Sequence, residues 1–186
     1  MYTVKFYQGD YKARQELANA DRCIAYVEHH FNTIHDKTGG YPAAVVARNA
    51  APQSLKWRQT YAQLLAEAFG ISSGGDKGID IGGGSGRNDS NLKFAAMPAI
   101  LVEPFSVTNP SHAQWIKSAG GQKKLAEVLC KSIKQSFPKG GLIGFSVGHK
   151  YKKTTPGDKG APLFGGGYEA DYAEIVLKNA EAFLLK

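Results

Sequence analysis

The chain reads as an α/β domain: a twisted, mixed but largely parallel sheet with helices on both faces. Two observations carry this. Short apolar runs of strand type alternate with segments of helical periodicity along the whole chain. The run Met97 to Glu103 is continuously apolar until its last residue, as in a strand buried on both faces. With 186 residues, no internal repeat and no interdomain linker, the chain suits a single domain with one core.

Tyr2 to Tyr7 alternates in side-chain type and is expected to be a strand. Gly9-Asp10 turns the chain into a short helix, Tyr11 to Ala20. Cys23 to Glu28 is a second strand, which runs into His29, His30, Phe31 and Asn32. Residues 35–40 form a loop, and Ala43 to Ala47 a third strand. Ser54 to Phe69 has a helical apolar face and stops at Gly70. Residues 72–91 are rich in Gly, Ser and Asp, with one short strand at Ile79 to Ile81. A loop of that length in a compact domain is usually functional or mobile.

After the Met97 strand, Asn109-Pro110-Ser111 opens a short helix with Trp115 and Ile116 facing inward. Gln122 to Phe137 is a longer helix, with Leu125, Val128, Leu129 and Ile133 on one side. Gly141 to Val147 is another buried strand, stopped by Gly148 with His149 at its tip. A polar loop follows, and Tyr168 to Leu185 is the last helix.

Composition narrows the function. Hydrophobic residues make up 42%, ordinary for a globular protein, and no apolar run approaches the ~20 residues of a membrane span. The start of the chain lacks the features of a signal peptide. If the protein acts outside the cytoplasm, something else must release it. Cys23 and Cys130 are too few for a disulfide framework and read as buried thiols. The net charge of +7 favours a polyanionic partner, yet no nucleic-acid-binding signature is present. Lys150, Lys152 and Lys153 form one local cluster, which would help attract an anionic polymer. Gly82 to Arg87 lacks the Gly-Lys-Ser/Thr ending of a phosphate loop and reads as a rim beside a groove, with Arg87 available to a substrate carboxylate.

Three strand ends carry a polar residue where the apolar run stops: His30, Glu103 and His149. Ligands of open α/β sheets bind outside the carboxyl ends of the strands. Glu169 opens the helix after one of these strands. Two histidines and one carboxylate leave a fourth zinc position free for water, the arrangement of catalytic zinc. A further Glu near that water can take its proton. His29 is the rival of His30, and Glu174 the rival of Glu169. Strand alternation puts Glu28, His30 and Asn32 on one face. His35 and His112 read as loop and surface residues without a role.

Pro98-Ala-Ile-Leu-Val-Glu103, followed by Phe105 and Asn109, resembles the signature of the zinc-dependent N-acetylmuramoyl-L-alanine amidases of the type 3 family. Ala18-Asn-Ala-Asp21, then a strand, then His30-Phe-Asn32 is similar to that family's Ala-Asn…Ala-Asp…His-x-Asn segment, and Arg14 matches the arginine usually found before it. In the family order, a strand ending in Gly-His and a later Glu come first. Here Gly148-His149, Pro156 to Ala161 and Gly167-Tyr-Glu169 resemble that opening, but stand at the end. Moving residues 141–186 ahead of residue 1 restores the usual order.

The resemblance therefore implies a circularly permuted, phosphorylase/hydrolase-like amidase domain over residues 1–186. It implies Zn²⁺ held by His30, His149 and Glu169, with Glu103 as general base. The implied reaction is hydrolysis of the amide between N-acetylmuramic acid and L-alanine in peptidoglycan. The lack of signal-peptide features suits a phage-type endolysin, cytoplasmic until it is released to the wall, and a monomer is expected. Peptidoglycan would be the partner, with no nucleic acid and no membrane insertion. A carboxypeptidase-like zinc hydrolase and a wall-binding module without metal are the alternatives.

Overall fold

The structure is a computed structural model that describes residues 1–33, 43–71, 79–81 and 89–186. Its elements are β1 (Tyr2–Phe6), α1 (Tyr11–Ala20), β2 (Ala25–His29), β3 (Ala43–Val46), α2 (Pro52–Phe69), β4 (Ile79–Ile81), β5 (Ala99–Glu103), α3 (Pro110–Lys117), α4 (Ala119–Ser136), β6 (Gly141–Val147) and α5 (Glu169–Leu184). Every expected strand and helix is present. The boundaries differ at α2 and α4, which begin two and three residues before the apolar periodicity does. Pro52 at the first turn of α2 and the Ser118 side chain, accepting from Gly121 N–H, set those starts. The proposed rim at Gly82 to Arg87, the loop 35–40 and His35 lie outside the described residues.

The six strands lie in the order β1-β6-β2-β5-β3-β4. β1, β6, β2 and β5 are mutually parallel, β3 is antiparallel to β5, and β4 is parallel to β3. The sheet is thus mixed and largely parallel. The strand latest in the chain, β6, is inserted between the two earliest.

Side-chain alternation splits the core by sheet face. Ala25, Val27, Ile100, Val102, Ile143 and Phe145 join residues of α2, α4 and α5 in the larger cluster. Tyr26, Leu101, Ala99 and Val45 pack with Ala18 of α1, Cys23 and Leu92 in the smaller one. Both cysteines are buried free thiols. No described helix is long and apolar enough to cross a membrane.

The parallel strands bring the carboxyl ends of β2, β5 and β6 to one edge. That edge carries His30, Glu103 and His149, which are far apart in sequence.

Candidate metal centre

β2 delivers His30. The strand is buried along its whole length, and its pleat sends Glu28 and His30 to one side and His29 to the other. His29 packs edge-on to Phe31 at 5.0 Å on the apolar side of the sheet, away from His149 and Glu169. Burial, and then the neighbouring His30, push its pKa down to about 3 and keep it neutral.

β6 delivers His149. Gly148 N–H donates to His29 O at 2.9 Å, which ties the end of β6 to β2. His149 then adopts φ 64°, a left-handed conformation uncommon outside glycine. Such a backbone costs roughly 1–2 kcal/mol and is kept where the surroundings over-determine it. Here it turns the imidazole back over the strand ends, where its ring lies 4.8 Å from that of His30.

Glu169 is the first residue of α5, where an acidic side chain complements the helix dipole. It is 3% exposed. Its Oε2 accepts from Phe31 N–H at 3.1 Å and its Oε1 from Ala161 N–H at 3.2 Å. The two N–H groups come from the chain just after His30 and from the loop after His149, so Glu169 clasps both segments.

His30, His149 and Glu169 each offer a ligand atom, and these atoms all lie within 4.8 Å of one another. Two glycines make room for them. A β-carbon on Gly148 would lie 2.4 Å from His30 Cε1, and one on Gly160 would lie 2.1 Å from Glu169 Oε1. Two neutral-capable imidazoles and a carboxylate are the donor set of a catalytic zinc site. The three residues therefore fit a metal ion by donor type, by proximity and by the space kept for their side chains.

Glu103, at the end of β5, lines the same pocket of about 550 Å³ together with Tyr11, Asn32, Asn91 and the three candidate ligands. All four residues singled out from the sequence therefore meet in one place.

Asp158 is a site residue that sequence reasoning passed over. It accepts from Gly160 N–H at 2.9 Å, bending the loop as an Asx turn, and its Oδ2 faces His149 Nδ1 at 3.0 Å. Burial works to raise its pKa, but Lys152, Gly160 N–H and His149 outweigh this and hold it well below the carboxylate range. Burial likewise works to lower the pKa of His149, and Glu169 and Asp158 together raise it. An Asp two residues before a Gly was the one local signal.

Two lysines of the cluster, Lys150 and Lys152, are held in ion pairs, while Lys153 is exposed. Lys150 pairs with Asp171 and Glu174, each at 2.7 Å, and Lys152 pairs with Asp158 at 2.5 Å. These two side chains are only 18% and 12% exposed, and they brace the loop instead of presenting charge. Glu174 is held by Lys150, Lys178 and Tyr151, not by the metal site. His112 is buried, not on the surface: its Nδ1 accepts from Ser106 N–H at 3.3 Å and its ring stacks on Trp115.

Comparison with known proteins places the chain among similar folds. Among solved structures, the chain is similar to the N-acetylmuramyl-L-alanine amidase Ami1 of Mycobacterium smegmatis, with TM-score 0.58 and 22% identity over 69% of this chain and 61% of that one. It is similar to the N-acetylmuramoyl-L-alanine amidase of Clostridium difficile 630, with TM-score 0.57 and 25% identity over 69% of this chain and 66% of that one. The catalytic domain of CwlV from Bacillus (Paenibacillus) polymyxa var. colistinus gives TM-score 0.54 and 18% identity, over 69% and 66%. The chain thus spans less than two thirds of the length of these structures. Comparison with curated protein sequences finds no match. The sequence profile described as N-acetylmuramoyl-L-alanine amidase matches residues 3–135, well over half of the chain. The chain belongs to the N-acetylmuramoyl-L-alanine amidase family.

Proposed function

We propose that this chain hydrolyses the amide between N-acetylmuramic acid and L-alanine in peptidoglycan, with zinc held by His30, His149 and Glu169. The observation that carries this is the convergence of those three residues, within 4.8 Å, beside Glu103 in one open pocket. The family match supports the bond attacked.

Bound there, Zn²⁺ supplies Lewis acidity to the scissile carbonyl and to an attacking water. The protein's own groups do the rest. Glu103 takes a proton from the water as its oxygen bonds to the lactyl carbonyl carbon. It returns the proton to the alanine nitrogen as the C–N bond breaks, so the leaving group departs as an amine. Phe31 N–H and Ala161 N–H hold the Glu169 carboxylate in place throughout. Tyr11, Asn32 and Asn91 line the pocket where the substrate binds.

The same domain is read as a circular permutant. β6 and β1 are parallel neighbours, and α5 packs on both. A β6-α5-β1 order would be an ordinary crossover unit. The first and last segments both pack against the region where α4 ends and β6 begins. Gly141 N–H donates to Met1 O at 3.0 Å, Tyr2 OH donates to Phe137 O at 2.8 Å, and Lys134 Nζ donates to Phe183 O at 3.3 Å. The family match ends at residue 135, before β6 and α5.

The test is to measure zinc in the purified protein and to digest purified peptidoglycan. One zinc per chain and stem peptides with a new L-alanine amino terminus are expected. A protein that takes up no zinc and releases no such peptide would overturn the reading. Release of a single C-terminal residue in place of the whole stem would move it to a carboxypeptidase.

A further inference from the structure

Behind His30 lies a buried carboxylate that the hydrolytic chemistry does not use. Glu28 is 0% exposed and shares a face of β2 with His30. Its Oε1 lies 2.8 Å from His30 Nε2 and accepts from Asn91 Nδ2 at 2.5 Å. Its Oε2 faces Arg14 Nη1 at 3.5 Å.

Arg14 is itself only 1% exposed. Its guanidinium donates to Gly9 O, Ser146 Oγ, Val147 O and Lys150 O, at 2.5–3.1 Å. One cation thus ties α1, the end of β6 and the loop after His149 to Glu28. Burying an ion pair carries a desolvation cost that the pairing does not always repay, and an apolar pair of similar volume is often no less stable. A buried charge pair placed directly against a metal-binding imidazole therefore points to the imidazole as its purpose.

We infer that Glu28 is a positioning residue for the metal centre: it accepts a hydrogen bond from His30 Nε2–H and so presents His30 Nδ1 to the metal. The inference rests on the zinc reading of the site. A carboxylate facing an arginine accepts and does not donate, so the proton of that bond sits on His30 Nε2. The imidazole has one other nitrogen, Nδ1, to offer. A carboxylate on the far nitrogen of a ligating histidine fixes the tautomer and ring orientation and makes the ligand more basic.

His149 is held the opposite way round. Its Nδ1 faces Asp158, and its Nε2 lies 2.6 Å from Glu169 Oε1. The two histidines are therefore wired to ligate through different nitrogens, His30 through Nδ1 and His149 through Nε2. Each stands in front of a carboxylate that carries its own cation, Arg14 for Glu28 and Lys152 for Asp158.

The decisive measurement is ¹⁵N NMR of the histidine side chains in the whole protein, first without metal and then with one equivalent of zinc. Without metal, His30 is expected to carry its proton on Nε2. With zinc, His30 Nδ1 and His149 Nε2 are the nitrogens that shift on coordination. A His30 proton on Nδ1, or zinc on His30 Nε2, overturns the inference. If zinc shifts neither histidine, the zinc reading falls, and the metal-free spectrum still decides the Glu28–His30 bond. The second arm is Glu28→Gln, with folding checked by circular dichroism. Its zinc dissociation constant should rise roughly 10–100-fold. Wild-type affinity in a folded Glu28→Gln protein would also overturn the positioning role.

Discussion

A β-carbon on Gly148 would sit 2.4 Å from Nε2 of His30, closer than real β-carbons approach any atom. The residue before one candidate ligand is thus the floor under the other. Gly148→Ala is expected to push the His30 ring out of place and lower zinc affinity at least tenfold, an effect of the kind seen when ligand orientation is lost. Gly157→Ala, where an added β-carbon meets nothing within 4 Å, is the matched control and should bind zinc like wild type. Zinc titration with a competing chelator reads both. Equal affinities would show that His30 does not depend on that close approach.

Glu103→Gln should keep zinc and lose activity, because the amide preserves shape but cannot take a proton. A loss of about 10²-fold or more in peptidoglycan hydrolysis is expected for removal of a general base. His149→Ala should lose both zinc and activity. Retained hydrolysis in Glu103→Gln would remove Glu103 from the proton transfer.

His29 Nδ1 is buried without a hydrogen-bond partner among the described residues. Such a group carries a desolvation penalty of about 1–3 kcal/mol. His29→Leu fills similar space without a polar atom. It should raise the urea midpoint by an amount equivalent to about 1 kcal/mol while leaving zinc binding intact. Loss of zinc in this variant would return His29 to the list of ligands.

Burial works to raise the pKa of Glu174, but hydrogen bonds from Lys150, Lys178 and Tyr151 prevail and hold it down to about 2. The unfolded chain therefore takes up this proton first as the pH falls. The stability contributed by Glu174 is fully present above its ordinary pKa of 4.5 and is lost as the pH drops toward about 2. Glu174→Gln should lower the melting temperature at pH 7 and make it less sensitive to pH between 4.5 and 2. An unchanged slope in that window would show that the Lys150–Glu174–Lys178 cluster is not what stabilises the loop.

A chain that begins at Gly141, with a short Gly/Ser linker from Lys186 to Met1, should fold and bind one zinc. This follows from the parallel β6–β1 pairing and from the contacts that hold both the first and the last segment against the α4–β6 region. Circular dichroism and zinc content check it. A relinked chain that fails to fold would show that the ends do not meet as the permutation requires.

Much of this protein is determined by local sequence. Alternation and apolar runs specify the strands. Helical periodicity with stops such as Gly70 specifies the helices. A polar residue at the end of a buried run marks His30, Glu103 and His149. The two-residue pleat of β2 already separates His30 from His29, onto opposite faces of the sheet. Only the tertiary structure decides what these residues meet. Placing β6 between β1 and β2 is a long-range pairing that no local period encodes, and it alone sets His149 over His30. The same placement puts Arg14 between Glu28 and the end of β6, turning what reads as a strand acid into a buried support for a ligand. It also draws Lys150 and Lys152 into ion pairs, where the sequence suggests free surface charge. Side-chain type and spacing record what a residue can do. Its partner depends on which distant segments the sheet brings to the same edge.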